Sequence, residues 1–297
     1  MSIEICILAS GSGGNCTVVR TPSGVLLIDA GLGPLSAARR MEGSGIHVRQ
    51  ISAICLTHLD HDHFTPTWVR TLLRLQIPVF CHASRVEELL ERVDHHPLAR
   101  DFARVIQTFD GHSFEALPRV KLRPIQLAHH RAGSHGFVIE GFGCRIGYAT
   151  DLGHVPAALL QCFTNLDMLA LESNYDPRMQ MDSARPWFLK NRIMGGAGHL
   201  SNQQAFEAIV RILNRMEKMS GRLPQHIVLL HRSLECNCPK LVRKFFGRDV
   251  RIAQRLTLAE QFERTGWLRT VPMHNPIGQQ LSLPAGFVLQ SRCNRSG

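Results

Sequence analysis

Residues 57–63 read THLDHDH, placing His58, Asp60, His61, Asp62 and His63 directly after the apolar run ISAICL. Neutral imidazole and ionised carboxylate are the ligand types taken by zinc, iron and manganese. A cluster this dense implies a metal site rather than a solvated polar loop. On an extended segment residues two apart share a side, so His58 and Asp60 are spaced to meet one ion. Asp62 and His63 lie where the chain turns toward TWVRTLLRLQ and are placed for a second. His61 falls on the other parity and is not expected to ligate. Four ligands do not complete two sites, so the rest must come from elsewhere in the chain.

Candidates stand where strands end. His129 follows PIQLA, Asp151 ends CRIGYAT and His231 ends HIVLLH, at the C-terminal strand ends where loops usually carry function. The stretch SGSGGN (10–15) brings Ser12 and Asn15 into a glycine-rich turn whose backbone N–H groups are available to an anion. It reads equally as a plain hairpin turn, and it lacks the lysine of a phosphate-binding P-loop. Cys236-x-Cys238 has no second cysteine pair and reads as reduced loop residues rather than a zinc site.

The elements that must hold these residues are mostly visible. Three strands, IEICIL, CTVVR and VLLID, open the chain, separated by glycine-rich turns. A helix is expected at about 34–43, with Pro34 near its start and Gly43 at its stop. ISAICL is a buried strand, TWVRTLLRLQ a helix, VFCH a strand and SRVEELLERV an amphipathic helix. A second strand-rich block runs through VKLRPIQLA, GFVIEG and CRIGYAT. Helices VPAALLQCF, 182–193 and 201–217 then alternate with strands MLALES and HIVLLH. Two such halves fit a two-sheet sandwich covered by helices. The expected organisation is one domain over 1–254 and an extension over 255–297 of few recognisable elements.

The chain has 297 residues, 44% apolar and 20% charged, which is globular composition. No apolar run reaches transmembrane length and no leader is evident. Nine scattered cysteines fit reduced thiols and a cytoplasmic protein. Lys and Arg exceed Asp and Glu by 34 − 24 = 10, which favours a polyanionic partner through weak, sequence-independent attraction. With 6% aromatic residues and two tyrosines, a stacking platform for single strands is not evident.

The ordered motifs LLIDAG, THLDHDH, His129, YATDLG and LLHRS resemble the metallo-β-lactamase fold superfamily, from about residue 25 to 233. LASGSGGNCTVV, LESNYD, GHLSN and HRSLECNCP resemble its YycJ-like subgroup of bacterial nuclease-like hydrolases. The resemblance implies an α+β fold, an αββα sandwich of two mixed β-sheets with helices on the outer faces. It implies two divalent metal ions: one held by His58, Asp60 and His129, the other by Asp62, His63 and His231, with Asp151 between them. Asp60 stands where the superfamily has a histidine; it either ligates and shifts preference from zinc toward manganese or iron, or leaves the first metal weak. His130 and Tyr175 also depart from the subgroup's usual Asp and His. Asp29 is expected behind the ligands, orienting them through hydrogen bonds.

The activity so implied is that of a dinuclear phosphodiesterase, a DNA exonuclease using a metal-bridged hydroxide. Asp62 would orient or deprotonate the nucleophile, and His199 of GHLSN would stabilise the developing charge or protonate the leaving oxygen. Ser12, Asn15, Ser201 and Asn202 are candidate substrate contacts, although Ser201 also reads as a helix N-cap. The alternatives are a hydrolase of small esters, thioesters or cyclic phosphodiesters on the same site, and a non-catalytic nucleic-acid-binding protein with a decayed metal site. Nucleic acid is the expected partner, with self-association into a homo-oligomer allowed and no membrane association.

Overall fold

The structure, a computed structural model, describes residues 2–272. Fourteen strands among them form two seven-stranded sheets. The first contains β1 (Ile3–Ala9), β2 (Cys16–Thr21), β3 (Gly24–Ile28), β4 (Ile51–Cys55), β5 (Val79–His82) and β6 (Ile106–Phe109). The second contains β7 (Phe114–Leu117), β8 (Val120–Leu127), β9 (Ser134–Gly141), β10 (Cys144–Ala149), β11 (Met168–Glu172), β12 (His226–Leu230) and β13 (Leu256–Leu258). The last strand, β14 (Leu268–Thr270), returns to the first sheet and lies antiparallel beside β1.

Each sheet is mixed for the same reason. Tight turns join its antiparallel strands, β1 to β3 in one and β7 to β10 in the other. Parallel neighbours cannot be joined by tight turns and need long crossovers. Helices Pro34–Met41, Val69–Leu75 and Val86–Val93 lie in those crossovers in the first half; Ala157–Cys162, Asn202–Ser220 and Pro239–Phe246 do so in the second.

Alternation along each strand divides the core into layers. Ile3, Ile5 and Ile7 of β1 meet Ile146, Tyr148, Val228 and Leu230 between the sheets. Cys6 and Leu8 point instead to the helices of the first half, and Ile227 and Leu229 to those of the second. Helix Asn202–Ser220 buries Ala205, Ala208, Ile209, Ile212, Leu213 and Met216 at three- and four-residue spacing. Each large side chain so buried contributes about 1.5–3 kcal/mol. The arrangement is the expected αββα sandwich.

Three features differ from the sequence reading. The helix expected at 182–193 begins only at Trp187 (Trp187–Met194), because Pro186 has no N–H to place inside a helix, and an unexpected short helix, Pro177–Asp182, precedes it. Strands β6 and β7 and helix Pro239–Phe246 were not expected. Beyond residue 254, where an extension of few elements was expected, β13 pairs with β12 and β14 with β1, so these residues supply one edge of each sheet. The remainder of that expected extension, 273–297, lies outside the described residues. No helix of the described residues is long and apolar enough to cross a membrane.

Candidate metal centre

Strand register brings the chemistry to one end of the sandwich. β3 and β4 are parallel with Ile28 opposite Cys55, so Asp29 and the loop from Leu56 leave the first sheet together. In the second sheet Ala149 lies opposite Leu171, and Glu172 opposite Leu230. Asp151, Glu172 and His231 therefore emerge side by side. The backbone is bent sharply there: Asp29, His130, Asp151 and His231 have φ of 63°, 46°, 55° and 52°. Left-handed non-glycine residues cost free energy and cluster at functional sites. Gly31 fixes how the two loops meet, because a Cβ on it would lie 1.8 Å from the Asp62 carbonyl oxygen.

All seven residues expected to ligate metal converge. Asp60 Oδ2 lies 3.7 Å from His58 Nε2 and 3.8 Å from His129 Nε2. His231 Nε2 lies 3.3 Å from Asp62 Oδ2 and 3.4 Å from Asp151 Oδ1. His63 Nε2 is 3.6 Å from Asp62 Oδ2 and 3.0 Å from Asp151 Oδ2, and His129 Nε2 is 3.9 Å from Asp151 Oδ1. Most of these separations are too long for good hydrogen bonds. They suit atoms sharing an ion, since two donors about 2.1 Å from a tetrahedral cation lie about 3.4 Å apart. The trios His58–Asp60–His129 and Asp62–His63–His231 each bring their ligand atoms within 4.8 Å of one another.

A second observation tests the fit. His58 Nε2 is buried without a hydrogen-bond partner among the described residues, which is costly unless something else satisfies it. The opposite ring nitrogens explain why Nε2 is left bare. His63 Nδ1 donates to Asp29 Oδ2 at 2.8 Å, and His129 Nδ1 donates to the Gly198 carbonyl at 2.9 Å. The Thr57 hydroxyl lies 2.9 Å from Asp29 Oδ2 and 3.0 Å from His58 Nδ1. Donating to the carboxylate, it accepts from His58. In these tautomers all three rings carry the lone pair on Nε2, the arrangement that outer hydrogen bonds impose on metal-ligating histidines, and that of His63 faces the Asn15 amide at 2.9 Å as well as the cluster. The donor set fits divalent cations. Asp29, fully buried, is the hub, accepting also from the Thr57 N–H at 2.8 Å.

The protein's own charges polarise the cluster. Burial raises Asp62, but the His63 and His231 imidazoles outweigh it and hold the carboxyl at about 2. Burial lowers His231, yet Asp151 and Asp62 push it up to about 9. Burial and the neighbouring His63 drive His58 well below the usual imidazole range, which keeps it neutral. Asp60, a third exposed, is held well below the ordinary carboxylate range chiefly by His129.

Residues missed or misread at the sequence level complete the site. Glu172, fully buried, accepts from His199 Nδ1 at 2.6 Å and from the Leu152 and Leu200 N–H groups. Its place at the end of a strand, like Asp151 and His231, is the signal that could have found it. His130 Nε2 lies 3.7 Å from Asp60 Oδ2, so the position read only as a departure from the family adds an imidazole to the cluster. Of the four residues expected against substrate, three are buried and engaged internally. Asn15 accepts from the Gly11 N–H at 2.9 Å, and its amide lies 3.2 Å from Asp62 Oδ2 and 2.9 Å from His63 Nε2. Ser201 caps helix Asn202–Ser220, and Asn202 bonds Ser173 and Asn237. Ser12 alone is exposed. His61 is also exposed, its side chain 85% accessible.

A model of the beta-lactamase superfamily domain matches residues 25–227. Exodeoxyribonuclease YycJ of Bacillus anthracis is 24% identical over 243 residues, covering 82% of this chain and 87% of that protein. Exodeoxyribonuclease WalJ of Streptococcus pneumoniae is 26% identical over 246 residues, covering 81% and 86%. The crystal structure of the metallo-beta-lactamase fold protein YhfI from Bacillus subtilis superposes with a TM-score of 0.62 at 13% identity. It covers 89% of this chain and 98% of that one.

Proposed function

This chain belongs to the beta-lactamase superfamily, and we propose that within it the protein is a metal-dependent phosphodiesterase that removes nucleotides from DNA ends. The observation that carries the reading is the pair of ligand trios sharing Asp151. The substrate class rests on relatives bearing the exodeoxyribonuclease name over four-fifths of the chain and on the excess of ten positive charges.

His58, Asp60 and His129 would hold one cation and Asp62, His63 and His231 the other, with Asp151 reaching both. Bound there, divalent cations supply an acidified water and positive charge against the phosphate. Asp60 supplies a hard, anionic oxygen at the first position, which favours manganese or iron over zinc. Asp62, against both His63 and His231, would orient the nucleophile or take its proton while holding the second cation. His199 gives its Nδ1–H to Glu172, leaving Nε2 to meet the substrate. To act as the general acid the ring must carry a second proton on Nε2; the buried carboxylate then steadies that imidazolium while Nε2–H is given to the leaving oxygen. A DNA substrate, with eight described cysteines all free, supports a cytoplasmic setting.

The test is manganese-dependent release of mononucleotides from duplex DNA by the purified protein, abolished in Asp151→Ala. Absence of cleavage of DNA, RNA and model diesters by fully metal-loaded protein would refute the reading.

A further inference from the structure

Helix Trp187–Met194 is anomalous. Five of its eight residues (Trp187, Phe188, Leu189, Ile193 and Met194) are apolar, yet none is buried. Trp187 is 61% and Phe188 73% exposed, and Met181 and Leu234 nearby are 46% and 54% exposed. A folded domain of this size seldom leaves adjacent large aromatics in water without a partner for them. The two tyrosines, Tyr148 and Tyr175, are by contrast buried, so the exposed aromatic surface of this region is this helix.

The helix is rigidly joined to the candidate metal centre. The Ile193 carbonyl accepts from the His199 N–H at 2.8 Å, and the Ala197 carbonyl from the His130 N–H at 2.7 Å. The Gly198 carbonyl receives His129 Nδ1–H. A Cβ on Gly198 would lie 2.1 Å from the Ile193 carbonyl oxygen, so the turn between helix and site admits no other residue. At the outer end, Arg185 bonds Glu235 at 2.6 Å and Lys190 bonds the Met181 carbonyl at 2.6 Å. With Glu235 bound to Arg185, the patch carries Arg178, Arg185, Lys190 and Arg192 against Asp182 and Glu235, a net charge of 4 − 2 = +2.

We propose that Trp187 and Phe188 form a stacking platform for the bases of the DNA strand whose terminal phosphodiester is cut, a proposal that rests on the nuclease reading. An aromatic face accepts any base, and the surrounding cations complement the phosphates. The platform therefore grips the strand without selecting its sequence, as removal of successive nucleotides requires.

The test compares wild type with Trp187→Ala/Phe188→Ala, each metal-loaded, binding a labelled oligonucleotide with non-hydrolysable linkages. An oligonucleotide of equal length lacking the bases of its terminal nucleotides serves as the second ligand. The expected result is a loss of ~10-fold or more in affinity for the intact oligonucleotide in the double variant, and equal affinities of the two proteins for the base-free end. Both side chains are exposed, so an unchanged thermal midpoint certifies the fold, and Trp187→Phe is expected to retain binding. Because no cleavage is involved, a wild type that binds with base dependence but hydrolyses nothing would refute the nuclease reading while supporting the platform. Equal affinity of both proteins for the intact oligonucleotide would overturn the platform. If the double variant then lost self-association in sedimentation, or became protease-sensitive within 273–297, the face would belong to a second copy or to the chain's own C-terminal segment.

Discussion

Replacing Asp29 by Asn removes one negative charge and converts one acceptor into a donor, at a position that touches no candidate cation directly. The carboxylate is fully buried and accepts from His63 Nδ1 at 2.8 Å, the Thr57 N–H at 2.8 Å and the Thr57 hydroxyl. Asparagine enters the left-handed region as readily as aspartate, so φ of 63° adds no new strain. Its carbonyl continues to accept from Thr57, but its NH2 now faces His63 Nδ1. That nitrogen must become the acceptor, which moves the ring proton to Nε2 and removes the lone pair aimed at the cluster. Loss of such an orienting partner costs 10–100-fold in metal affinity, about 1.4–2.7 kcal/mol. Asp29→Ala acts differently, leaving buried donors with no acceptor and lowering unfolding stability by about 3–5 kcal/mol. Calorimetric metal titration of Asp29→Asn, with nitrogen chemical shifts of the His63 ring reporting the tautomer, measures the effect. A folded variant that binds metal with wild-type affinity would show the tautomer argument to be wrong.

Four further outcomes are expected. Asp60→His replaces the hard oxygen with an imidazole and should move metal preference toward zinc, read by elemental analysis after competition between zinc and manganese; an unchanged preference would mean that Asp60 does not ligate. Gly31→Ala puts a methyl 1.8 Å from the Asp62 carbonyl oxygen and 2.8 Å from the Asn15 nitrogen. It should cost about 3 kcal/mol or more with loss of bound metal, and a wild-type urea midpoint would contradict the packing described. His231 stands at about 9 before metal binds, so loading a neutral imidazole near pH 7.5 must expel its proton. Apparent affinity should accordingly rise with pH until about 9 and level off above it, with proton release seen as a dependence of calorimetric heat on buffer ionisation enthalpy. Glu172→Gln loses the anionic acceptor of His199 Nδ1–H and should lower kcat ~10²–10⁴-fold with little change in metal content; parallel loss of metal would assign Glu172 to the ligands instead.

Local features were legible in the sequence. The apolar runs IEICIL, ISAICL and CRIGYAT became β1, β4 and β10, because a strand buried on both faces is written as a short, nearly continuous apolar stretch. The candidate ligands were legible since imidazoles and carboxylates placed at strand ends leave few bland explanations. Glu172 carried the same strand-end signal as Asp151 and His231, but nothing in the sequence tied it to a partner. An acid at the end of MLALE is an ordinary polar residue until β10 and β12 flank it and His199 reaches it from another loop. Asn15, Ser201 and Asn202 looked available to a substrate, and only packing showed their hydrogen bonds already committed. Strands β13 and β14 have three residues each, too few for a pattern; partner strands define them, not composition.

By itself, then, the order of residues determined which groups are available for chemistry and which faces of each element turn inward, both being matters of side-chain type and short-range periodicity. The tertiary structure decided which nitrogens and oxygens stand within one ion's reach, which hydrogen bonds fix the histidine tautomers, and which aromatics stay in water. Those depend on separations between atoms far apart along the chain, and strand register and sheet packing set those separations.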